Sequence, residues 1–537
     1  MSLQADYTLF NTCYQIKLPI ELETMIPSDD PVRLLSAFVE GMDLSELYGT
    51  YDRVRKNQAS PRQILKIMAY AALNGIFSSR DIETACRRDI NFMFLLEGTP
   101  APDHATLARF ISLHLADCSK DVLAEVTSIL YQLGEISGKT VFIDGTKIEA
   151  NANRYTFVWK KAVSRNQEKL FLKITELVAE CEAMYGIKTV YQGRVSLHTL
   201  KRLRKKLYAV KQEEGITFVK GSGKRKTQLQ RSVETLEAYI EKLKEYTKKL
   251  HICGDRNSYS KTDPDATFMR LKEDAMLNGQ LKPAYNLQHA VDAQYVTWAD
   301  ISARPTDVTT LVPFLKDMEG YLPFRYLEIV ADAGYESEEA YVYLEKNGQL
   351  AFIKPQDYEI SKTRRYREDI SRRENMTYLE EEDAYICSNG RKLPRIREKR
   401  VRNRSGYAST VTIYECGDCQ GCPQKAKCIR GNNCRMPMEE RNKRIWVSKV
   451  MKEKRKETLE RITTEYGAQL RMNRSIQAEG SFAVIKEDLG FRQYLYRGRK
   501  NVLAQSILAA IGYNIKKLHH KIQGGRTGQF LTSMKTA

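Results

Sequence analysis

The chain has 537 residues, and its 86 Lys and Arg against 67 Asp and Glu leave a net charge of +19. This length allows about three or four domains. No apolar run approaches the roughly 20 residues of a bilayer-spanning helix, which excludes an integral membrane protein. The first ten residues also lack the basic and apolar regions of a secretion signal. We expect a cytoplasmic protein, and the basic charge favours nucleic acid as its partner.

The first elements are predicted to be helices. Over residues 31–133 apolar side chains recur at steps of three and four, and Pro61 suits a first helical turn. Ser79 and Asp103 each precede helix-forming residues and predict N-caps. We interpret residues 1–135 as an all-helical N-terminal domain that binds DNA. A helix-turn-helix is one of several helical arrangements that share this spacing.

The pattern changes to strands after this region. The β-prone run 140–143 ends at Asp144 and predicts a buried strand. Residues 147–151 are predicted as its hairpin partner after a turn at Gly145. Residues 284–293 (AYNLQHAVDA) read as a third strand.

A second strand that ends in an acid follows later in the chain. Residues 327–331 run into Asp332, and a helix is predicted from Ser337 to Lys346, with residues 349–354 as a further strand. Strands mixed with helices, with acids at two strand ends, predict an α/β fold.

Two segments interrupt this predicted core. Between about residues 161 and 250, apolar residues at steps of three and four predict two helices on either side of residues 215–223. We interpret them as an antiparallel coiled-coil hairpin with a structural or dimerising role. The second segment contains the run 391–404, with eight basic residues and one acid, and then most of the cysteines. Helix is predicted to return at about Glu465, and a last helix spans residues 502–518.

These boundaries divide the chain into six parts. We predict a helical DNA-binding domain (1–135), three parts of an α/β core (136–160, 251–355 and 465–537, the last including C-terminal helices), a coiled-coil insertion (161–250) and a basic, cysteine-rich insertion (356–464).

Three acids are the strongest candidates for chemistry: Asp144 in VFIDGTK, Asp332 in IVADAGYES and Glu479 in RSIQAEGSFAVIK. Strand ends can bring two carboxylates together, and a helix across the sheet can supply the third. Mg²⁺ is usually held by few carboxylates together with substrate phosphate oxygens. Two such ions can assist an in-line phosphoryl displacement, which is a chemistry of DNA cleavage and transfer. A single acid at a strand end is weak evidence, because Asp is also common in caps and turns. The prediction of catalysis therefore depends on all three acids together with their flanking sequences.

These flanks resemble the DDE transposases of bacterial insertion sequences, over nearly the whole chain. The resemblance rests on LKIMAYAALNGIFSSRDIETACRRDINFMFL with PDHATLARF, on IDGTKIEANANRYTF, on ADAGYES, and on DPDA followed by AYNLQHAVDA. It implies an RNase H-like catalytic core in which Asp144, Asp332 and Glu479 are catalytic and hold Mg²⁺ or Mn²⁺. It also implies binding of terminal inverted repeats, cleavage at the element ends, joining of the 3′-hydroxyl to target DNA, and at least a homodimer at synapsis.

The third motif departs from the related pattern Y-x2-R-x3-E-x6-K. Lys486 stands seven residues after Glu479, as the pattern requires, and shares its helix face. The expected Arg position is Ser475, with Arg474 one residue earlier, and the expected Tyr is Met472. We predict that Lys486 and Arg474 contact DNA phosphate.

Cysteines form a second dense motif. Eleven cysteines are an odd number, and six of them fall between Cys387 and Cys434, which does not resemble a disulfide framework. The order C-x2-C-x2-C-x5-C and the absence of His in this segment predict an all-thiolate structural Zn²⁺ site, with an iron–sulfur cluster as the second alternative. The predicted ligands are Cys416, Cys419, Cys422 and Cys428.

Basic residues outside these motifs are candidates for DNA contacts, with a solvated charged surface as the alternative. We select Arg400 and Arg402 in the basic run, and Arg497, Arg499 and Lys500 in RGRK.

Our prediction is a DDE transposase with endonuclease and strand-transfer activity. One alternative is a catalytically inactive transposase-derived regulator that binds DNA ends, although all three acids are present. Another is a zinc-dependent nucleic-acid-binding scaffold in which the acids are structural.

Overall fold

The computed structural model describes residues 22–53, 57–221, 224–271, 279–403, 405–431 and 436–533. Cys434 and Arg404, which belong to the predicted cysteine-rich and basic segments, lie outside these residues, as do residues 1–21 of the predicted N-terminal domain. The chain has an α/β fold, as predicted. Among the helices in the described ranges, none combines the length and the apolar composition needed to cross a membrane.

The N-terminal region is helical, as predicted. Its α-helices are α1 (Leu22–Met25), α2 (Pro31–Glu40), α3 (Ser45–Gly49), α4 (Pro61–Leu73), α5 (Ser79–Arg88), α6 (Ile90–Leu96), α7 (His104–Arg109) and α8 (Ala116–Gln132), with a π-helical turn between the last two. Their buried apolar side chains join those of the central sheet in one continuous core, so this region packs directly on the rest of the protein.

The sequence predicts the start of α4 correctly. Pro61 is its first residue, and the Ser60 hydroxyl accepts a hydrogen bond from the Gln63 amide at 3.2 Å. The Gln63 side chain accepts in return from the Ser60 amide at 2.8 Å, which completes a capping box. Asp103 also caps α7 as predicted, by accepting from the Thr106 amide at 2.7 Å.

The predicted N-cap at Ser79 is wrong by one residue. Ser79 is the first residue inside α5, and the cap position is Ser78, whose backbone is extended. The Ser78 side chain makes no capping hydrogen bond.

The strands between residues 140 and 353 form one large and one small sheet. They are β1 (Thr140–Glu149), β2 (Phe157–Trp159), β3 (Ser258–Ser260), β4 (Thr267–Arg270), β5 (Leu281–Asp292), β6 (Tyr295–Ser302), β7 (Glu328–Ala331) and β8 (Leu350–Ile353). Strands β2 and β3 pair with each other, and the other six form a sheet in the order β4-β5-β1-β7-β8, with β6 also on β5. Strand β1 is antiparallel to β5 and parallel to β7, and β8 is parallel to β7.

The predicted hairpin after Gly145 is wrong. Strand β1 continues through Glu149, with Gly145 opposite Gln288 and Lys147 opposite Asn286 in an unbroken antiparallel ladder. Because β5 pairs with β1 on both sides of Gly145, this glycine stays within the strand and no turn forms there. The other three predicted strands are present as β5, β7 and β8.

The first interrupting segment contains three helices: α9 (Lys160–Tyr185), α10 (Leu197–Glu213) and α11 (Gln228–Cys253). Helix α11 contacts both of the others, and the three share an apolar cluster of their own. The two-helix prediction therefore missed α9, although its buried residues Leu170, Ile174 and Leu177 carry the same helical spacing.

Two helices complete the central unit, α12 (Leu311–Tyr321) and α13 (Glu338–Lys346). Helix α13 begins as predicted, because the Ser337 hydroxyl accepts from the Ala340 amide at 3.1 Å.

The second interrupting segment forms a five-stranded sheet that the sequence analysis did not predict. Its strands are β9 (Thr377–Leu379), β10 (Ala384–Ile386), β11 (Lys392–Arg402), β12 (Ala408–Glu415) and β13 (Arg444–Val447), joined in the order β13-β12-β11-β10-β9. The short helices α14 (Arg364–Arg367) and α15 (Lys425–Cys428) lie in the same segment.

Helix returns before the predicted position. Helix α16 (Lys449–Thr463) precedes α17 (Glu465–Arg474), which continues through a π-helical segment (Ser475–Glu479), α18 (Gly480–Ala483) and a second π-helical segment (Val484–Asp488). The last helix, α19 (Arg499–Gln523), contains the predicted span 502–518. It crosses α4 at Gly512, where a Cβ atom would lie 2.5 Å from the Leu73 amide nitrogen, so only glycine permits this approach.

The two serines at helix starts provide a matched test. We expect Ser60→Ala to destabilise the first turn of α4 by about 1 kcal/mol, because the capping box is lost. Hydrogen exchange of the α4 amides measures this loss. Ser78→Ala, which removes no capping bond, should change the exchange of α5 by less than about 0.5 kcal/mol. Equal effects at the two sites would contradict the assignment of the cap.

Candidate active site

The sheet brings Asp144 and Asp332 side by side. Ile143 pairs with Ala331 at the end of the parallel β1–β7 ladder, so the next residues on the two strands are Asp144 and Asp332. Asp332 directly follows β7 and precedes a turn of 3-10 helix, where its side chain makes no capping bond. The carboxyl ends of parallel strands are the usual place for ligand-binding residues in such sheets.

Glu479 comes from the helix that lies across the sheet. It is the last residue of the π-helical segment 475–479, which contacts both β1 and β5. Burial raises the pKa of Asp144 to about 6, while Arg474 and the Gly145 amide oppose this shift and the carboxylates of Glu479 and Asp332 add to it. The three acids therefore lie within electrostatic range of one another.

Arg474 lies between two of these acids. Its guanidinium is 2.6 Å from Glu479 Oε1 and 3.7 Å from Asp144 Oδ2, and its side chain is only 15% exposed. Within the described ranges, no three or more His, Cys, Asp and Glu side chains stand in an arrangement ready to hold a metal ion. At this site the carboxylates have the right chemistry for a hard cation, and two of them are already paired with the Arg474 guanidinium.

The π-helical segment accounts for the position of Arg474. In a regular α-helix, residues three or four apart share a face. Arg474 precedes Glu479 by five residues, and the wider π-helical turn places their side chains in contact. The departure from the related motif is therefore one extra residue that the helix absorbs as a π-bulge, a feature that is frequent at functional sites.

The other predicted DNA-contacting residues differ in their exposure and in whether they already have a partner within the protein. Lys486 is buried, and its ammonium donates to the Lys147 carbonyl in β1 at 3.2 Å. Arg499 pairs with Asp300 at 3.1 Å and Lys500 with Asp117 at 2.6 Å.

Arg497 donates to the Asn151 carbonyl at 2.8 Å, which ties the C-terminal segment to the end of β1. Arg400 and Arg402 are exposed on β11, far along the chain from the three acids.

A buried polar network beneath the site was missed by the sequence analysis. Asp307 Oδ1 accepts from the Asn286 amide at 2.6 Å and from the Gln288 amide at 3.0 Å. The Tyr335 hydroxyl donates to Gln288, so the network joins β5 to the turn that follows Asp332. The available signal was the pair of polar residues within the apolar strand run AYNLQHAVDA.

A neutral histidine fills the space next to Asp144. His289 is opposite Asp144 in the β1–β5 ladder, and its ring stacks on Phe482 of α18 with centroids 4.4 Å apart. Burial lowers the pKa of His289 to about 3, so the ring is uncharged at neutral pH. This contact packs the helix that carries Glu479 against the sheet.

Gly145 is required by this packing. A Cβ atom there would overlap the Gln288 amide nitrogen and lie 2.9 Å from the Tyr335 hydroxyl. We expect Gly145→Ala to lower the free energy of unfolding by about 1–3 kcal/mol, as in other overpacked sites. Urea unfolding measures this change.

Gly334→Ala is the control for that prediction. Its Cβ would lie 3.6 Å from Asp307 Oδ2, an ordinary contact, and we expect a change within about 0.5 kcal/mol. A loss at Gly334 as large as that at Gly145 would show that the close approach around Gly145 is not the cause.

The cysteines surround a small cavity between the second sheet and the loop that follows β12. All four predicted thiols line it, and so does Cys387 from the β10–β11 turn, which the sequence motif did not include. The cavity volume is about 20 Å³, enough for a single small ion or water.

The environment of these thiols is partly buried and basic. Burial raises the pKa of the Cys416 thiol to about 11, and neighbouring thiols add to the shift. Lys443 lies beside the cavity, with its amide 3.3 Å from Cys419 Sγ, and burial lowers the pKa of its ammonium. Sulfur donors are the ligand type that a thiophilic metal prefers, although the five thiols, all within the described ranges, do not form a closed coordination shell.

Comparison with known families covers both ends of the chain. A family model described as a transposase DDE domain matches residues 386–519, which include the cysteines and Glu479. A second, described as a transposase domain (DUF772), matches residues 20–113 in the helical N-terminal region. No curated protein and no solved structure matched the chain.

Both matches are to transposase families, and together they cover fewer than half of the residues. They indicate a DDE transposase of an insertion sequence, as the motifs did. Asp144 and Asp332 lie outside the matched ranges. A catalytic role for them is therefore argued from their positions on adjacent strands.

Proposed function

We propose that the protein binds the terminal inverted repeats of an insertion sequence, cleaves DNA at the element ends and joins them to target DNA. The observation that carries this proposal is that Asp144 and Asp332 follow paired residues of the adjacent strands β1 and β7, with Glu479 within electrostatic range of Asp144. In the same proposal, two copies of the chain act together at synapsis, and the protein works in the cytoplasm on nucleoid DNA.

Strand order supports an RNase H-like core. In the order β6-β5-β1-β7-β8, the first three strands are antiparallel neighbours and the last two are parallel to β1. We propose that this core is divided as the sequence predicts, with the bundle α9–α11 and the second sheet as insertions. The N-terminal helices would contribute DNA binding.

The three carboxylates would hold Mg²⁺ or Mn²⁺, which would stabilise charge on the attacking and leaving oxygens of a phosphodiester. Asp144 and Asp332 are positioned by adjacent strands, and Glu479 closes the site from the helix. Arg474 would exchange its carboxylate partners for a phosphate oxygen of the DNA, since a guanidinium binds phosphate in a forked geometry. Because the Arg474 side chain is mostly buried, it would bind the phosphate from its present position in the site.

The cysteine cavity supports a structural zinc ion. Its volume suits one ion better than an iron–sulfur cluster of several atoms, and zinc prefers four thiolate or imidazole ligands. The second sheet has a core of only a few buried apolar side chains, to which Cys416 and Cys419 already belong. A metal would supply stability that such a small core lacks.

Substitution of the acids tests the proposed catalysis. We expect Asp144→Asn, Asp332→Asn and Glu479→Gln each to reduce Mg²⁺-dependent cleavage of labelled element ends by about 100-fold or more, because each removes a charge from the metal site. Binding to the same DNA should be retained.

Glu487→Gln is the matched control for these variants. Glu487 lies on the same helical stretch as Glu479 but is exposed and paired with Arg492, so cleavage should stay near the wild-type level. If the wild-type protein binds the ends and never cuts them, the inactive DNA-binding regulator becomes the better account.

Metal analysis tests the cysteine site. We expect about one zinc ion per purified chain, and substantially less after Cys419→Ser or Cys428→Ser. The control is Cys181→Ser, which lies in the helical bundle away from the cavity. Purified protein without bound metal, whose stability is unaffected by zinc, would contradict the proposal.

A further inference from the structure

The second sheet narrows at one end to a ribbon of two strands. Strand β10 pairs with β11 only as far as Pro394, and β13 pairs with β12 only from Thr412 onwards. Between these limits β11 and β12 pair with each other alone only from Lys399 to Arg402. The β12 partners of the preceding β11 residues, from Arg395 to Glu398, also pair with β13. We call residues 395–402 and 408–411 the basic ribbon; residues 399–402 and 408–411 are its two-stranded part.

The basic ribbon carries positive charge on both faces. A bulge lies between Arg395 and Arg397, and beyond it the side chains alternate regularly. Arg397 and Lys399 therefore lie on one face, and Arg400 and Arg402 on the other. All four are exposed.

Acidic side chains of the protein neutralise little of this positive charge. Glu398, the one acid on this part of β11, is already paired with Arg395 at 3.1 Å. Arg397, Arg400 and Arg402 form no ion pair with any residue in the part of the chain that the structure describes. Lys399 lies over the half-exposed ring of Trp446, with its ammonium 5.5 Å from the ring centroid.

The tip of the ribbon is fixed to the central unit near the candidate active site. Asn403 donates to Glu339 at 3.0 Å, and the Tyr407 hydroxyl donates to Glu338 at 3.1 Å. These two acids form the first turn of α13, six and seven residues after Asp332. The ribbon is therefore held at both ends, by its own sheet and by α13.

We propose that the basic ribbon lies in a groove of duplex DNA, with one basic face toward each phosphate backbone. The major groove is about 12 Å wide and admits a two-stranded β-ribbon. A ribbon that rested flat on DNA would need positive charge on one face only. The two-stranded part covers four residues of β11 and extends about 13 Å, so it can enter the groove over part of one helical turn of DNA.

This inference rests on the proposed function and adds the element that holds the duplex. Its contacts are to phosphates, which carry no sequence information, so the DNA bound here is duplex of any sequence. The anchor on α13 would direct that duplex toward the three acids.

The test is the salt dependence of binding to a labelled 30-base-pair duplex without element ends, measured by fluorescence anisotropy with the full chain. Each phosphate contact contributes about 0.9 to the slope of log K against log salt. We expect Arg400→Gln/Arg402→Gln and Arg397→Gln/Lys399→Gln each to reduce the magnitude of the slope by about 1.8. Arg400→Lys/Arg402→Lys should restore the slope, because the charge is kept.

The matched control is Arg165→Gln/Arg202→Gln, which removes two exposed arginines from the helical bundle and should leave the slope unchanged. If only one of the two ribbon faces affects the slope, the placement in a groove is wrong. If neither does while wild type binds in a salt-dependent manner, the ribbon inference fails and the proposed function stands. If wild type binds no duplex at all, the proposed function itself fails.

Discussion

The position of β1 between an antiparallel β5 and a parallel β7 is the constraint on which the candidate site depends. Parallel pairing with β7 puts Asp144 next to Asp332, since the residues before them are partners in the ladder. Antiparallel pairing with β5 puts His289 and Gln288 beside Asp144 and Gly145. The pairing with β7 brings the two aspartates together, and the pairing with β5 places the buried side chains that pack beside them.

The helix above the sheet completes the site through an irregularity. The π-helical segment before Glu479 turns Arg474 toward both Glu479 and Asp144, so a cation lies among acids that would otherwise repel one another. Burial works against ionisation of Asp144, and Arg474 partly offsets that effect. Two of the three acids, Asp144 and Glu479, are thus held together by an arginine of the same chain.

The sequence predicted the features that have a local signal. Apolar runs ending in an acid revealed β1 and β7, Pro61 and the apolar spacing revealed α4, and the capping residue Asp103 revealed α7. Strand β11 escaped prediction because both of its faces carry charge beyond Pro394, so it lacks the alternation of a half-buried strand. The roles of Gln288, Asp307 and Cys387 escaped because their partners are distant in sequence and meet only in the folded chain.

Mapping the metal position tests the central claim most directly. Fe²⁺ bound in place of Mg²⁺, with ascorbate and peroxide, generates radicals that cut the polypeptide close to the ion. The account predicts cuts near Asp144, Asp332 and Glu479 together, which excess Mg²⁺ suppresses and which Asp144→Asn weakens at all three segments. Cuts confined to one of the segments, or unaffected by Asp144→Asn, would contradict a shared metal site formed by the three acids.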